Sequence, residues 1–110
     1  MAEQPVTEIA VETLAEMRRE GADHTLLDVR DPDELEICAF ADSLNIPMQE
    51  IPASLDRLPR TGALVVVCHL GQRSARVAAW LRQNGFSNAV NLSGGIDAWA
   101  REIDNDMDTY

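Results

Sequence analysis

Ala63 Leu64 Val65 Val66 Val67 Cys68 His69 Leu70 Gly71 Gln72 Arg73 Ser74 is the stretch from which the fold of this chain can be worked out. Residues 64–67 show no polar alternation, so a strand made from them needs cover on both faces, as a central strand of a parallel sheet has. Gly71 then interrupts the pattern. Residues 74–84 follow with Val77, Ala78 and Leu81 at helical spacing and Gly85 after their end. A buried strand passing quickly into a helix leaves Cys68 at the strand's carboxyl end, where open α/β sheets bind their ligands.

The same alternation extends outward in both directions. Towards the N-terminus, residues 7–10 and 25–29 read as strands. Between them, Val11–Glu20 reads as a helix with Leu14 and Met17 inward, Gly21 at its end and a poor N-cap in Ala10. Arg30 Asp31 Pro32 Asp33 Glu34 opens another helix, with proline early and acids in the first turn. Residues 43–46 form a short strand closed by Pro47, residues 51–58 a short helix and residues 59–62 a turn. Residues 89–92 are the last strand, and Gly94 Gly95 leads into a final helix carrying Ile96 and Trp99. The expected architecture is a parallel α/β sheet with helices on both faces.

A chain of 110 residues, 45% hydrophobic and 25% charged, suits one soluble domain. Residues 1–6 read as a polar tail without an apolar leader segment, which argues for the cytoplasm. Residues 102–110, with Glu102, Asp104, Asp106 and Asp108, read as a frayed acidic end. The net charge of −10 disfavours nucleic acid and anionic membrane as partners, because both are held by basic patches. The two cysteines have no zinc-type spacing to each other or to His24 and His69, so no metal and no cofactor is expected.

The chemistry is expected at Cys68. A thiol beside loop N–H groups and a helix N-terminus is favoured as a thiolate, although a cysteine ending an apolar run can also be simply buried. Gly71 allows a turn whose N–H groups point inward as an anion cup, Arg73 adds a fixed cation at the rim, and Ser74 can cap the helix or donate to an anion. Such a cup suits attack on a phosphate ester or on the outer sulfur of a thiosulfonate or persulfide. Only four residues, His69 to Gln72, separate Cys68 from Arg73. Cysteine phosphatases use a longer loop, so the shorter cup favours sulfur.

Three motifs in order, Asp28 Val29 Arg30, then Cys68 to Ser74, then Leu92 Ser93 Gly94 Gly95 Ile96 Asp97 Ala98 Trp99, resemble a single-domain rhodanese over residues 7–101. The resemblance implies a five-stranded parallel sheet with helices on both faces. It also implies a sulfurtransferase that takes sulfane sulfur from a small anionic donor such as thiosulfate, as a Cys68 persulfide. The acceptor would be cyanide, a thiol or a sulfur-carrier protein. Cys68 would be catalytic, and His69, Leu70, Gly71, Gln72, Arg73 and Ser74 would form the substrate-binding loop. Asp28 and Arg30 would be a supporting buried pair, and His69 an exposed residue that shapes the loop.

The chain departs from this family where a Gly-His-Ile-x-Gly-Ala stretch is common; here Cys38 Ala39 Phe40 Ala41 Asp42 Ser43 stands. Cys38 can be a packed small hydrophobe or a thiol that resolves a persulfide. Trp80 and Trp99 read as core or half-core packing, Gly94 and Gly95 as a tight turn, and Arg76 as a surface residue. A rhodanese-like module that only binds a partner is the competing function; Cys68, Gly71 and Arg73 speak against it.

Overall fold

A computed structural model describes residues 6–110; the first five residues of the expected N-terminal tail lie outside the described residues. Five parallel strands, β1 (Glu8–Ile9), β2 (His24–Asp28), β3 (Leu44–Asn45), β4 (Ala63–Val67) and β5 (Ala89–Leu92), form one sheet in the order β1-β5-β4-β2-β3. The helices are α1 (Val11–Glu20), α2 (Pro32–Ile37), α3 (Gln72–Gln83) and α4 (Gly95–Glu102).

The apolar run of β4 explains its central place. Leu64 and Val66 enter a core with Val77, Ala78 and Leu81 of α3, while Val65 and Val67 enter the opposite core with Val11 and Leu14 of α1 and Ile96 and Trp99 of α4. Leu64, Val65, Val66 and Val67 have no exposed surface. Burying a side chain of this kind contributes about 1.5–3 kcal/mol, so a polar residue at any of them would lose that burial and leave its polar group unpaired in the core.

Several expectations need correction. Residues 51–58 do not make one continuous helix: Met48–Ala53 and Leu55–Arg57 are two short 3-10 helices that break at Ser54. Helix α3 begins at Gln72 because Gly71, left-handed at φ +99°, is its N-cap; Ser74 therefore sits inside the first turn and does not cap. Trp99 is core, but Trp80 is 37% exposed on the flank of α3.

The acidic end is also not frayed. The N–H groups of Ile103 and Asp104 both donate to the Trp99 carbonyl at 2.9 Å, and Ile103 and Met107 pack against the core on the α1/α4 face. Among the described residues no helix is long and apolar enough to cross a membrane.

Candidate active site

Cys68 follows β4 directly and is 1% exposed. Its sulfur accepts from the Gly71 N–H at 3.1 Å, the Ser74 N–H at 3.3 Å and the Ser74 hydroxyl at 3.1 Å. The turn that aims these donors needs Gly71: besides its positive φ, a Cβ there would lie 3.1 Å from the Gly94 nitrogen. A second helix supports the loop from behind. At the start of α4 the Ile96 and Asp97 N–H groups donate to the carbonyls of Cys68 at 2.9 Å and His69 at 3.1 Å. Gly95 permits that approach, since a Cβ there would collide with both carbonyl oxygens.

The Ser74 hydroxyl has two acceptors in reach, the sulfur at 3.1 Å and Asn91 Oδ1 at 2.5 Å, and it carries one proton. Asn91, on β5, donates through Nδ2 to the Gly71 carbonyl at 3.2 Å, which turns its Oδ1 towards Ser74. With the sulfur as a thiol, S–H can donate to Ser74 and Ser74 to Asn91. With the sulfur as an anion, the Ser74 proton serves the sulfur instead. Asn91 thus competes with Cys68 for one proton.

Above this floor the loop opens into a pocket of about 80 Å³ lined by Cys68, His69, Leu70, Gln72 and Arg73. Arg73 is not a free cation at its rim. Its two terminal nitrogens each donate at 2.7 Å to a different oxygen of Glu34, from the first turn of α2. Glu34 also accepts the Asp31 N–H at 3.1 Å, closing half of a capping box, and the Tyr110 hydroxyl at 2.7 Å. The hydrogen bond from Arg73, helped by Tyr110 and Asp31 and opposed by burial, lowers the Glu34 carboxyl to about 2. The same pairing raises the Arg73 guanidinium above its ordinary value. Burial pushes the Tyr110 hydroxyl up to about 12, so it stays a donor.

Asp28 and Arg30 form a fully buried pair at 2.7 Å at the end of β2. Burial works against the Arg30 charge, but the bonds to Asp28 and Tyr110 outweigh it and raise its pKa. Arg30 also donates to the carbonyls of Glu34 at 3.3 Å and Cys38 at 2.8 Å, so it ties both ends of α2. Through Glu34 that anchorage reaches the rim. Breaking such a pair by removing one partner costs about 3–5 kcal/mol, because the other charge is left buried.

The structure thus gathers Cys68, Gly71, Ser74 and Arg73 around one sulfur and one pocket, with Leu70 and Gln72 on its exposed wall. His69 lines that pocket too but is half-buried rather than exposed, because the Tyr110 ring lies on it. Asp28 and Arg30 stand one strand away and touch α2 rather than the sulfur. Cys38 packs with Phe40 and Trp99 in the core on the face opposite to that of Cys68, and both cysteines are free. Sequence reasoning missed Asn91, Glu34 and Tyr110. A single amide in the otherwise apolar β5 was the available signal for Asn91.

A family model described as a rhodanese-like domain matches residues 10–102. A sulfurtransferase of Allochromatium vinosum is 38% identical over 96 residues, covering 87% of this chain and 90% of that protein. A probable adenylyltransferase/sulfurtransferase of Mycobacterium tuberculosis is 40% identical over 92 residues, covering 82% of this chain but 24% of that protein. Among solved structures, a rhodanese-related protein of Thermoplasma volcanium superimposes with a TM-score of 0.80 at 36% identity, covering 88% of this chain and 93% of that one. With the family model spanning nearly the whole sheet and both supporting helices, the chain belongs to the rhodanese-like family.

Proposed function

We propose that the protein is a sulfurtransferase in which Cys68 carries sulfane sulfur as a persulfide between a small anionic donor, such as thiosulfate, and a thiophilic acceptor. The observation that carries this reading is the convergence of three hydrogen-bond donors on one buried sulfur at the mouth of a small pocket. Sulfurtransferases among the relatives support it.

In the first step the Cys68 thiolate attacks the outer sulfur of the donor. The donor's S–S bond breaks, and sulfite leaves with the electron pair. The persulfide's terminal sulfur then holds the negative charge, inside a cup of donors of the kind that stabilises developing anions. In the second step cyanide or a thiolate attacks that terminal sulfur, and the Cys68 thiolate leaves with the electron pair of the broken S–S bond. Each half is a displacement at sulfur, so one transfer is split into two easier ones with no outside oxidant. Arg73 lines the pocket, and an incoming anion competes with Glu34 for its guanidinium.

Incubation with thiosulfate, followed by intact-mass measurement before and after reductant, tests the reading. The wild type gains one reducible sulfur, and the Cys68→Ser variant gains none. No gain from thiosulfate or from any persulfide donor would sink the enzyme and favour a module that only binds a partner.

A further inference from the structure

The segment after α4 does more than cover the core. It carries Tyr110 back to the Cys68 loop, outside the pocket lining itself, and attaches it on both sides. On the loop side, the Tyr110 ring stacks on His69 with centroids 3.8 Å apart and planes 11° from parallel. His69 Nε2 lies 2.8 Å from the Tyr110 carbonyl oxygen, an atom that can only accept, so that nitrogen bears the proton. On the α2 side, the Tyr110 hydroxyl donates to Glu34 at 2.7 Å and accepts from Arg30 Nη1 at 3.1 Å. One phenol therefore links the end of β2, the first turn of α2 and the cysteine loop.

The placement matters because of what it touches. His69 and Arg73 line the pocket, and Tyr110 holds the first directly and the second through Glu34. Leu70 and Gln72, which also line it, are exposed and outside these contacts. A reagent approaching the sulfur must then pass walls of which two, His69 and Arg73, are held by Tyr110. We propose that Tyr110 is a specificity-determining residue: it holds His69 and, through Glu34, Arg73 in place, so that small sulfur donors and acceptors reach Cys68 directly, whereas a bulky one reaches it only when Tyr110 lets those walls move. This inference rests on the reading of Cys68 as the reacting group. It adds that acceptor size is set by a residue remote in sequence from the loop.

The contacts also fix how this hold can be loosened. On the α2 side the hydroxyl remains protonated and its Glu34 acceptor remains ionised across the neutral range, so that contact is released by a competing partner for Glu34 or by loss of the hydroxyl.

Alkylation of the reduced protein separates size from chemistry. Cys68 is labelled with iodoacetamide, which is small, or with fluorescein maleimide, which is bulky, and the rate is read at Cys68 by peptide mapping so that Cys38 does not contribute. Tyr110→Ala is expected to raise the maleimide rate at least about tenfold, through loss of the stack on His69 and of the hydroxyl's bonds to Glu34 and Arg30, while the iodoacetamide rate changes less than about twofold. Tyr110→Phe keeps the ring on His69 but loses the hydroxyl, and is expected to fall between the two. Equal acceleration of both reagents would mean that the loop itself loosened, and no acceleration that the mouth is already open; either overturns the proposal. No sulfur donor is present, so the result stands apart from whether thiosulfate loads the protein.

Discussion

The floor and the rim of the Cys68 pocket are built on different plans. The floor is backbone: loop and helix N–H groups, two glycines that let chains approach, and a buried hydroxyl, all within residues 68–97. The rim is side chains from distant places, with Glu34 reaching Arg73 and Tyr110 reaching both Glu34 and His69. Backbone donors have fixed geometry and lose little freedom on binding an anion, which suits stabilising a charge that comes and goes on one sulfur. Partly exposed side chains are easier to displace, which suits a region that must admit and release substrates. The contrast predicts large, rigid losses when the floor is altered and smaller, selective ones at the rim.

The strongest way to break that contrast is Gly95→Ala against Gly21→Ala. Both glycines have positive φ, +63° and +69°, but a Cβ at Gly21 meets nothing within 4 Å whereas one at Gly95 meets the Cys68 and His69 carbonyls. Backbone strain alone costs somewhat over about 1 kcal/mol, and overpacking adds about 1–3 kcal/mol. Chemical denaturation is therefore expected to show a loss of about 2–4 kcal/mol for Gly95→Ala and about 1 kcal/mol for Gly21→Ala. Equal losses would mean that α4 does not brace the loop.

The difference between floor and rim also accounts for what was legible in the sequence. The order of strands and helices, the central place of the 64–67 run and the helix after Gly71 follow from periods and punctuation within a few residues; in the loop, Cys68, Gly71, Arg73 and Ser74 are marked by their residue types, and His69, Leu70 and Gln72 by the family resemblance alone. Asn91 left a weak trace, since an amide in a buried strand needs a partner, but nothing local says that the partner is Ser74. Glu34 is visible as a helix-start acid three residues after Asp31, yet its partner Arg73 lies 39 residues away. Tyr110, the chain's one tyrosine, ends an acidic stretch without periodicity, and charge alone made that stretch look frayed. Its anchors are 41 and 76 residues away. Contacts of that span become visible only when the fold has brought the elements together.

Within the floor, Ser74 and Asn91 give opposite signs. Ser74→Ala removes one of three donors to the sulfur, and a hydrogen bond to a charged group contributes about 1.5–3 kcal/mol, so iodoacetamide alkylation of Cys68 at neutral pH should slow about tenfold or more. Asn91→Leu frees the Ser74 proton for the sulfur and should speed alkylation a few-fold, with no effect once Ser74 is Ala. The charged and titratable groups around this sulfur are Arg73, paired with Glu34, and His69, held under Tyr110; the Asp28–Arg30 pair lies on the next strand. Measuring the alkylation rate and the stability of each variant at one neutral pH separates the two roles. The expected result is rates displaced in opposite directions, while a merely structural Asn91 would lower stability and leave the rate in place.

The smallest effect is expected at the rim, from Glu34→Gln. The Arg73–Glu34 pair is bidentate but its arginine side chain is 32% exposed, so its loss should cost no more than about 1 kcal/mol of stability. Its signature is in pH. Folding lowers the Glu34 carboxyl from an ordinary 4.5 to about 2, so its contribution is complete above pH 4.5 and disappears as pH falls towards 2. Wild type and Glu34→Gln should therefore differ in melting temperature at pH 7 and converge as the pH drops through that window. A difference that persists at pH 2 would show that the glutamate acts through packing rather than charge, and the rim would then be as rigidly built as the floor.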